Sequence, residues 1–405
     1  MSIKAAADLV AKKLLEQDFV EVHGHHDADG IAAASILCHA LHRSGKHFQL
    51  SIDPYINPKN LKNPASTLLC DFGSALDDLP EDVIVIDHHL PHFKGKYHVN
   101  PHLNGLDGER ELSASGAAYI VALHMGDNRD LCGLAMVGMI GDRQELTGMN
   151  HEIVSEGIAN GFIIPDRGLR FVGRDLTEQL YTALNPYLEG ISGNQDVVDS
   201  IVETCTSGAD TDWEILLSKI ILEIAPYANS TLMENLYGDT YELEREVVHD
   251  LHTLTAIVDA CGQAGRGGLA ATLCLRSPDG IDEAWEILRQ YRQRVISALG
   301  SAEKGDNQIN LYELTDPEVT SAVADALAYD GLYDTPVVTI AGNTDKYFIS
   351  ARSPGGMDPD LGSTLKDLAA KCGGTGGGHR TRAGARINVD GIECFKTGIM
   401  EAIFS

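Results

Sequence analysis

Basic residues are scarce in this sequence, and so are paired cysteines, phosphate-loop glycines and long apolar runs. Its 31 Lys and Arg face 59 Asp and Glu, for a formal net charge of −28. Such a surface repels itself and repels polyanions as a whole, so any surface that binds nucleic acid has to be local. The eight cysteines, at 38, 70, 132, 205, 261, 274, 372 and 394, include no C-x-x-C pair. Neither a zinc knuckle nor a disulfide framework is signalled, and the expected state is eight reduced, mostly buried thiols in a cytoplasmic protein. No stretch approaches the roughly 18 apolar residues of a membrane helix; residues 220–225 are broken by Glu223. No secretory leader is expected. Neither a Walker loop nor a Gly-x-Gly-x-x-Gly strand-to-helix turn occurs, so nucleoside triphosphate chemistry is not indicated.

What is present suits two or three folded domains: 405 residues, 43% apolar and 22% charged. After an amphipathic first 17 residues, short apolar runs (19–22, 67–70, 83–86) alternate with helical patterns (31–41, 117–124). That alternation predicts an α/β fold with a mainly parallel sheet, whose sites form beyond the carboxyl ends of the strands. Domains are expected at 1–150, 151–250 and 251–405. The middle one reads as a helical connector or insert, with helical periods over 176–188, 197–204, 213–224 and 232–251. The last reads as a smaller α/β domain with a helix over 281–299, strands over 337–340 and 347–349, and a glycine block at 373–378.

The run 19–22 leads into His23-Gly24-His25-His26-Asp27-Ala28-Asp29-Gly30. Alternate residues of an extended chain point to one side, so His25, Asp27 and Asp29 can converge as half a metal site. The bland alternative is an Asp capping the following helix. The strand 83–86 delivers Asp87-His88-His89, and adjacent histidines on an extended chain take different jobs, one on metal while the other reaches the substrate or is held by a neighbour. Asp71 closes 67–70 and Asp142 ends 136–141. Alone each is a turn or cap residue; together with the first two blocks they complete the oxygen and nitrogen ligands of two divalent ions. Imidazole and carboxylate without thiolate suit Mn²⁺ better than Mg²⁺.

Near the C-terminus, glycines at 373, 374 and 376–378 allow close backbone approach to a phosphate, which His379, Arg380 and Arg382 can neutralise. Residues 350–386 hold six Lys and Arg against three Asp, a local +3. Arg352 either faces an anionic strand or pairs with Asp358 or Asp360. Ser113 and Ser115 read as helix N-caps.

In order, H-x-D-x-D-G, an Asp after a strand, D-H-H and Gly141-Asp142-Arg143 resemble the DHH phosphoesterase superfamily. Gly376-Gly377-Gly378-His379 resembles its DHHA1 C-terminal domain. Glu111-Leu112-Ser113-Ala114-Ser115-Gly116 and Val258-Asp259-Ala260-Cys261-Gly262 resemble the archaeal RecJ-like branch. The resemblance covers 20–145 and about 250–405 and implies an active site in a cleft between the DHH and DHHA1 domains. It implies one metal on His25, Asp27 and Asp71 and another on Asp29, Asp71, His88 and Asp142, with Asp71 bridging. His26 receives no role, and the choice between His25 and His26 stays open. Two Mn²⁺ are implied, with Mg²⁺ or Co²⁺ as alternatives. His89, His379 and Arg380 are implied as catalytic groups. Ser350, Arg352, Ser353, Gly377, Gly378, His379 and Arg382 are implied as holding the substrate, Ser350 to Ser353 through an S-x-R-S motif.

The expected function is a single-strand-specific exonuclease on DNA or RNA, releasing mononucleotides in replication, repair or RNA turnover. One alternative is hydrolysis of short oligoribonucleotides or cyclic dinucleotides. Another is a scaffold that binds a replication or helicase protein. The Arg-Lys-Lys signature of family II pyrophosphatases is missing, which sets pyrophosphate aside.

Overall fold

The first helix, α1 (Ile3–Leu15), starts where the Ser2 hydroxyl accepts the Ala5 N–H, and it buries Ile3, Ala6, Val10 and Leu14 along one stripe. The computed structural model describes every residue except 1, 77, 208–209, 228–229, 305–309, 330–334, 355–356, 358 and 404–405. The chain divides into two units, Met1–Gly168 with Asp239–Leu288, and Leu169–Gly238 with Arg289–Ser405.

In the first unit, five strands form one sheet: β1 (Phe19–His25), β2 (His47–Asp53), β3 (Thr67–Cys70), β4 (Ile84–Ile86) and β5 (Tyr97–Val99). The order is β2-β1-β3-β4-β5 and every pairing is parallel. β3 and β4 are wholly buried, as expected of continuous apolar runs in a parallel sheet. In this order the connections diverge between β1 and β3, the switch point beyond which ligands bind in such sheets.

Helix α2 (Ala28–Arg43) follows β1 at once. Between Ala28 and Leu41 every residue but His39 is buried, because α3 (Ala114–Met125), α4 (Cys132–Gly141) and the sheet surround it. The segment 136–141 is thus the end of a helix, with Asp142 as its C-cap. Residues 251–288, expected in the last domain, belong to this unit instead. Helices Leu251–Gln263 and Gly267–Cys274 pack on α2 and α4, and Gly262 lies too close to the His26 carbonyl to accommodate a Cβ.

In the second unit, helices Leu176–Tyr181, Gln195–Cys205, Trp213–Ile224 and Ser230–Leu236 share a core built on Leu180, Val198, Ile201, Leu216, Ile220 and Ile224. The helix expected over 176–188 stops early, before Asn185-Pro186, since proline cannot donate and its predecessor avoids helical backbone. The helix expected over 232–251 ends at Leu236 and gives way to the strand Tyr237–Leu243, in which Tyr237, Thr240 and Tyr241 favour an extended chain.

A six-stranded mixed sheet runs in the order Glu303–Lys304, Leu311–Leu314, Val337–Gly342, Lys346–Arg352, Arg382–Asn388 and Gly374–Gly378. The two-fold alternation of Lys346–Arg352 sends Tyr347, Ile349 and Ala351 to the core shared with helices Leu361–Lys371 and Ile392–Ile403. Ser350 and Arg352 point the other way, toward helix Thr320–Tyr329. Contrary to the expectation of eight thiols, Cys372 and Cys394 are joined in a disulfide. The fold brings their Cα atoms to 5.7 Å, a proximity that sequence spacing does not signal. The other six cysteines are buried and unpaired. Among the described residues no helix is long and apolar enough to cross a membrane.

Candidate metal centre

Beyond the carboxyl ends of β1, β3 and β4, eight acidic and imidazole side chains crowd together. Asp27 caps α2 with Oδ1, which accepts the Gly30 N–H at 3.0 Å, while its Oδ2 lies 2.7 Å from His25 Nδ1. Cap and ligand are therefore compatible roles, one on each oxygen. Asp29 is fully buried, and its oxygens accept the N–H groups of Ala114 and Ser115 at 2.8 and 2.9 Å, a favourable place for an anion at the start of α3. Ser113 caps α3 by accepting the Gly116 N–H, as expected. Ser115 does not cap; its hydroxyl donates to the Ala135 carbonyl. A Cβ on Gly138 would stand 2.0 Å from Asp29 Oδ1 and 2.1 Å from Ser115 Oγ, so only glycine lets α4 approach here.

Asp71 follows β3 with φ 62°, a left-handed backbone that costs a non-glycine residue about 1 kcal/mol and that clusters at functional sites. From there it presents Oδ2 to His25 Nδ1 at 3.1 Å and Oδ1 to His88 Nε2 at 3.3 Å. His88 is buried, and its Nδ1 is 2.7 Å from the Gly108 carbonyl, which also accepts from Gln144. Its Nε2 is thereby aimed at Asp142 Oδ2, 3.0 Å away, and at Asp29 Oδ2, 3.8 Å away.

Three ligand groupings result in this unit: His25, Asp27 and Asp71; Asp29, His88 and Asp142; and Asp71, Asp87 and His89. Within each, the candidate atoms lie within 4.8 Å of one another. All six residues expected as ligands are brought together, and His25 enters the groupings where His26 does not.

Asp87 went unassigned in the sequence. Its carboxylate accepts the N–H groups of Ser74, His88 and His89 and lies 2.8 Å from His89 Nδ1. It is thus the group that orients the D-H-H turn. Gly108, Gln144 and Asn150, which donates to Gln144 Oε1, were also missed, because they act through His88 and carry no signal of their own.

The electrostatics explain what such crowding needs. Burial, then the Asp142 and Asp71 charges, push Asp29 up to about 8. Burial and Asp27 raise Asp71 as well. Burial disfavours the charged imidazole of His88, but Asp142 and Asp71 outweigh it and hold His88 well above the ordinary histidine value. Burial would likewise raise Asp87, yet His89 beside it keeps it well below the carboxylate range. The raised carboxyls of Asp29 and Asp71 mark crowded negative charge that a cation would offset. Hard oxygens with borderline imidazoles and no thiolate suit divalent manganese or magnesium, so these residues fit such ions.

In the second unit, Gly377, Gly378, His379 and Arg382 lie on the glycine strand and the turn and strand beside it, while Ser350, Arg352 and Ser353 lie on or next to the strand one further in. Arg352 is buried: its Nε donates to Asp325 Oδ1 at 2.5 Å and its Nη2 to Ser321 Oγ at 2.5 Å. Asp325, which the sequence did not suggest, is thus a partner of Arg352; Asp358 lies outside the described residues. Arg382 Nη2 donates to the other Asp325 oxygen at 3.2 Å, and exposed Arg380 lies 3.7 Å from Asp360. Part of the local +3 is therefore balanced by Asp325, which lies too far away in sequence to enter the count. Ser350 is buried against Thr320, and the Ser353 hydroxyl donates to backbone carbonyls. Gly378 adopts φ 136°, opening the turn closed by the His379 N–H donating to the Arg382 carbonyl at 2.7 Å. Gly377 precedes it on the edge strand.

Residues 20–139 match the DHH family N-terminal domain, and residues 306–403 match the DHHA1 domain. The chain belongs to the DHH phosphoesterase superfamily. This DHH protein is 28% identical over 445 residues to an uncharacterised protein of Methanocaldococcus jannaschii, covering 99% of this chain and 97% of that protein. It is 30% identical over 189 residues to the single-stranded-DNA-specific exonuclease RecJ of Thermus thermophilus, covering 39% of this chain but 27% of RecJ. The solved structure of that RecJ in complex with Mn²⁺ superposes with a TM-score of 0.58 at 18% identity, over 98% of this chain and 54% of the other. The DHH protein therefore spans about half of that solved structure. CDC45 from Entamoeba histolytica superposes over 100% of both chains with a TM-score of 0.64 at 11% identity. These two structural likenesses are of fold.

Proposed function

We propose that this DHH protein is a Mn²⁺-dependent phosphodiesterase that removes mononucleotides from an end of single-stranded DNA or RNA. The observation that carries the reading is the buried donor cluster centred on Asp71, with one carboxylate oxygen toward His25 and the other toward His88. Divalent ions held by His25, Asp27, Asp29, Asp71, His88 and Asp142 would supply Lewis acidity and activate water for in-line displacement at phosphorus. The chain's own contribution is orientation and charge. Asp87 fixes His89 and favours its charged form, to stabilise negative charge developing on the phosphoryl oxygens, a role shared by His379 and Arg380. The glycine strand, through Gly377 and Gly378 with Arg382, holds backbone phosphates; Arg352, Ser350 and Ser353 shape that face from behind. The RecJ match over part of the chain supports a single-stranded substrate.

A scaffold role is the second reading, favoured by the whole-chain likeness of fold to CDC45. The intact ligand set speaks for chemistry, and a protein partner is compatible with both readings. Digestion of end-labelled single-stranded DNA and RNA, from dinucleotides to forty-mers, with Mn²⁺ or EDTA, tests the proposal. Cleavage that strengthens with length and vanishes in EDTA is expected. Cleavage confined to dimers and trimers would replace the exonuclease by a short-oligonucleotide hydrolase, and no cleavage would leave the scaffold.

A further inference from the structure

The Cys372–Cys394 bond stands apart from every other cysteine in the chain. Cys38, Cys70, Cys132, Cys205, Cys261 and Cys274 are buried, and burial pushes the thiols of Cys132 and Cys261 up to about 12, which makes them poor nucleophiles. Cys372 is buried too, but Cys394, in the first turn of helix Ile392–Ile403, is exposed. It opens into a groove of about 840 Å³ between that helix and Leu361–Lys371, lined also by Asp367, Lys371, Glu393, Thr397 and Glu401.

The bond is placed where it matters for the glycine strand. Cys372 is the C-cap of helix Leu361–Lys371, and strand Gly374–Gly378 begins two residues later. That strand is at the sheet edge and pairs with Arg382–Asn388 alone. Four of its five residues are glycine, which anchor nothing through side chains and gain the most conformational freedom on release. Apart from the backbone itself, the disulfide is its nearest covalent tie to the rest of the domain.

We propose that Cys394 is a thiol-exchange site, attacked by a neutral or cationic thiol in the groove, and that opening the bond loosens the glycine strand and weakens its hold on phosphate. The second half rests on the nuclease reading; the first does not. A thiolate of a dithiol attacks Cys394 Sγ, the bond to Cys372 Sγ breaks, and Cys372 leaves as a thiolate that takes up a proton. The dithiol's second sulfur then displaces Cys394 as its thiol, so the two electrons come from the dithiol, which leaves as a cyclic disulfide. Asp367, Glu393 and Glu401 against Lys371 disfavour an anionic thiol in this groove.

The test uses the full chain. Under denaturing, non-reducing conditions, alkylation should modify six cysteines and leave 372 and 394 linked; eight modified cysteines would overturn the site. Reduction of the folded protein should be about tenfold faster with cysteamine than with mercaptoethanesulfonate at equal thiolate concentration, and equal rates would overturn the groove. Hydrogen exchange over 373–378 should quicken about tenfold on reduction by dithiothreitol. Cys394→Ser and, independently, Cys372→Ala should show the fast exchange without reductant. Unchanged exchange in the reduced protein and in both variants would overturn the latch, whatever the nuclease assays show. If the nuclease reading also holds, reduction should raise KM severalfold with kcat unchanged.

Discussion

Asp87 shows how much one carboxylate can organise without being an expected ligand. It accepts three backbone N–H groups and holds His89, so replacing it leaves buried donors unpaired and the D-H-H turn unguided. Asp87→Asn is expected to weaken Mn²⁺ binding or activity by about 10–100-fold, the usual size of losses from groups that orient ligands. Mn²⁺ titration by electron paramagnetic resonance, alongside cleavage rates, would measure it, and a variant within twofold of wild type would remove Asp87 from the account. The candidate ligands His25, Asp27, Asp29 and His88 were legible in local strand-end and D-x-D patterns, whereas Asp71 and Asp142 read alone as turn or cap residues and joined them only in company. Asp325 was not legible, since its partners Arg352 and Arg382 meet it only in the fold; Asp87 lies beside its main partners His88 and His89, but spacing alone does not distinguish a group that orients the turn from a ligand.

At the scale of elements, the close approach of α4 to α2 and α3 is what delivers Asp142 and encloses Asp29. Gly138→Ala would drive a methyl into Asp29 and Ser115, at a cost of about 1–3 kcal/mol for overpacking. It should lower the thermal midpoint and reduce divalent-ion affinity together; unchanged affinity would mean that Asp29 is not positioned through this contact. A second joint ties α2 to the residues after 239. Asp130 accepts from Arg43 at 2.7 and 2.8 Å and from Arg276 at 2.6 Å, and Arg276 also donates to buried Glu246. Burial raises the Asp130 carboxyl, but the two arginines outweigh it and hold it below the ordinary value of 3.8. A lowered folded-state pKa gives stability that is present above about pH 3.8 and lost as pH falls through the folded value. Thermal unfolding should therefore show wild type losing its advantage over Asp130→Asn below pH 4, and parallel curves would contradict that. Strand Thr67–Cys70 and helix Trp213–Ile224 stood out in the sequence because each is a coherent apolar pattern. The return of 239–288 to the first unit did not, because it depends on packing against α2 and α4.

Across the whole molecule, a charge of −28 works against the compact state and against a polyanionic substrate. Added monovalent salt should raise the thermal midpoint of the DHH protein by screening self-repulsion, which a salt series by calorimetry would check; a falling midpoint would show that ion pairs such as Asp130 with Arg43 dominate instead. The buried acidic and imidazole cluster around Asp71 is proposed to hold two divalent ions. The most direct test of that claim is anomalous diffraction at the manganese edge from Mn²⁺-soaked crystals of wild type and Asp71→Asn. Two peaks flanking Asp71, about 3.5–4 Å apart, with at least one lost in the variant, are the expected result. Two peaks that survive Asp71→Asn, or none at this cluster, would contradict the account.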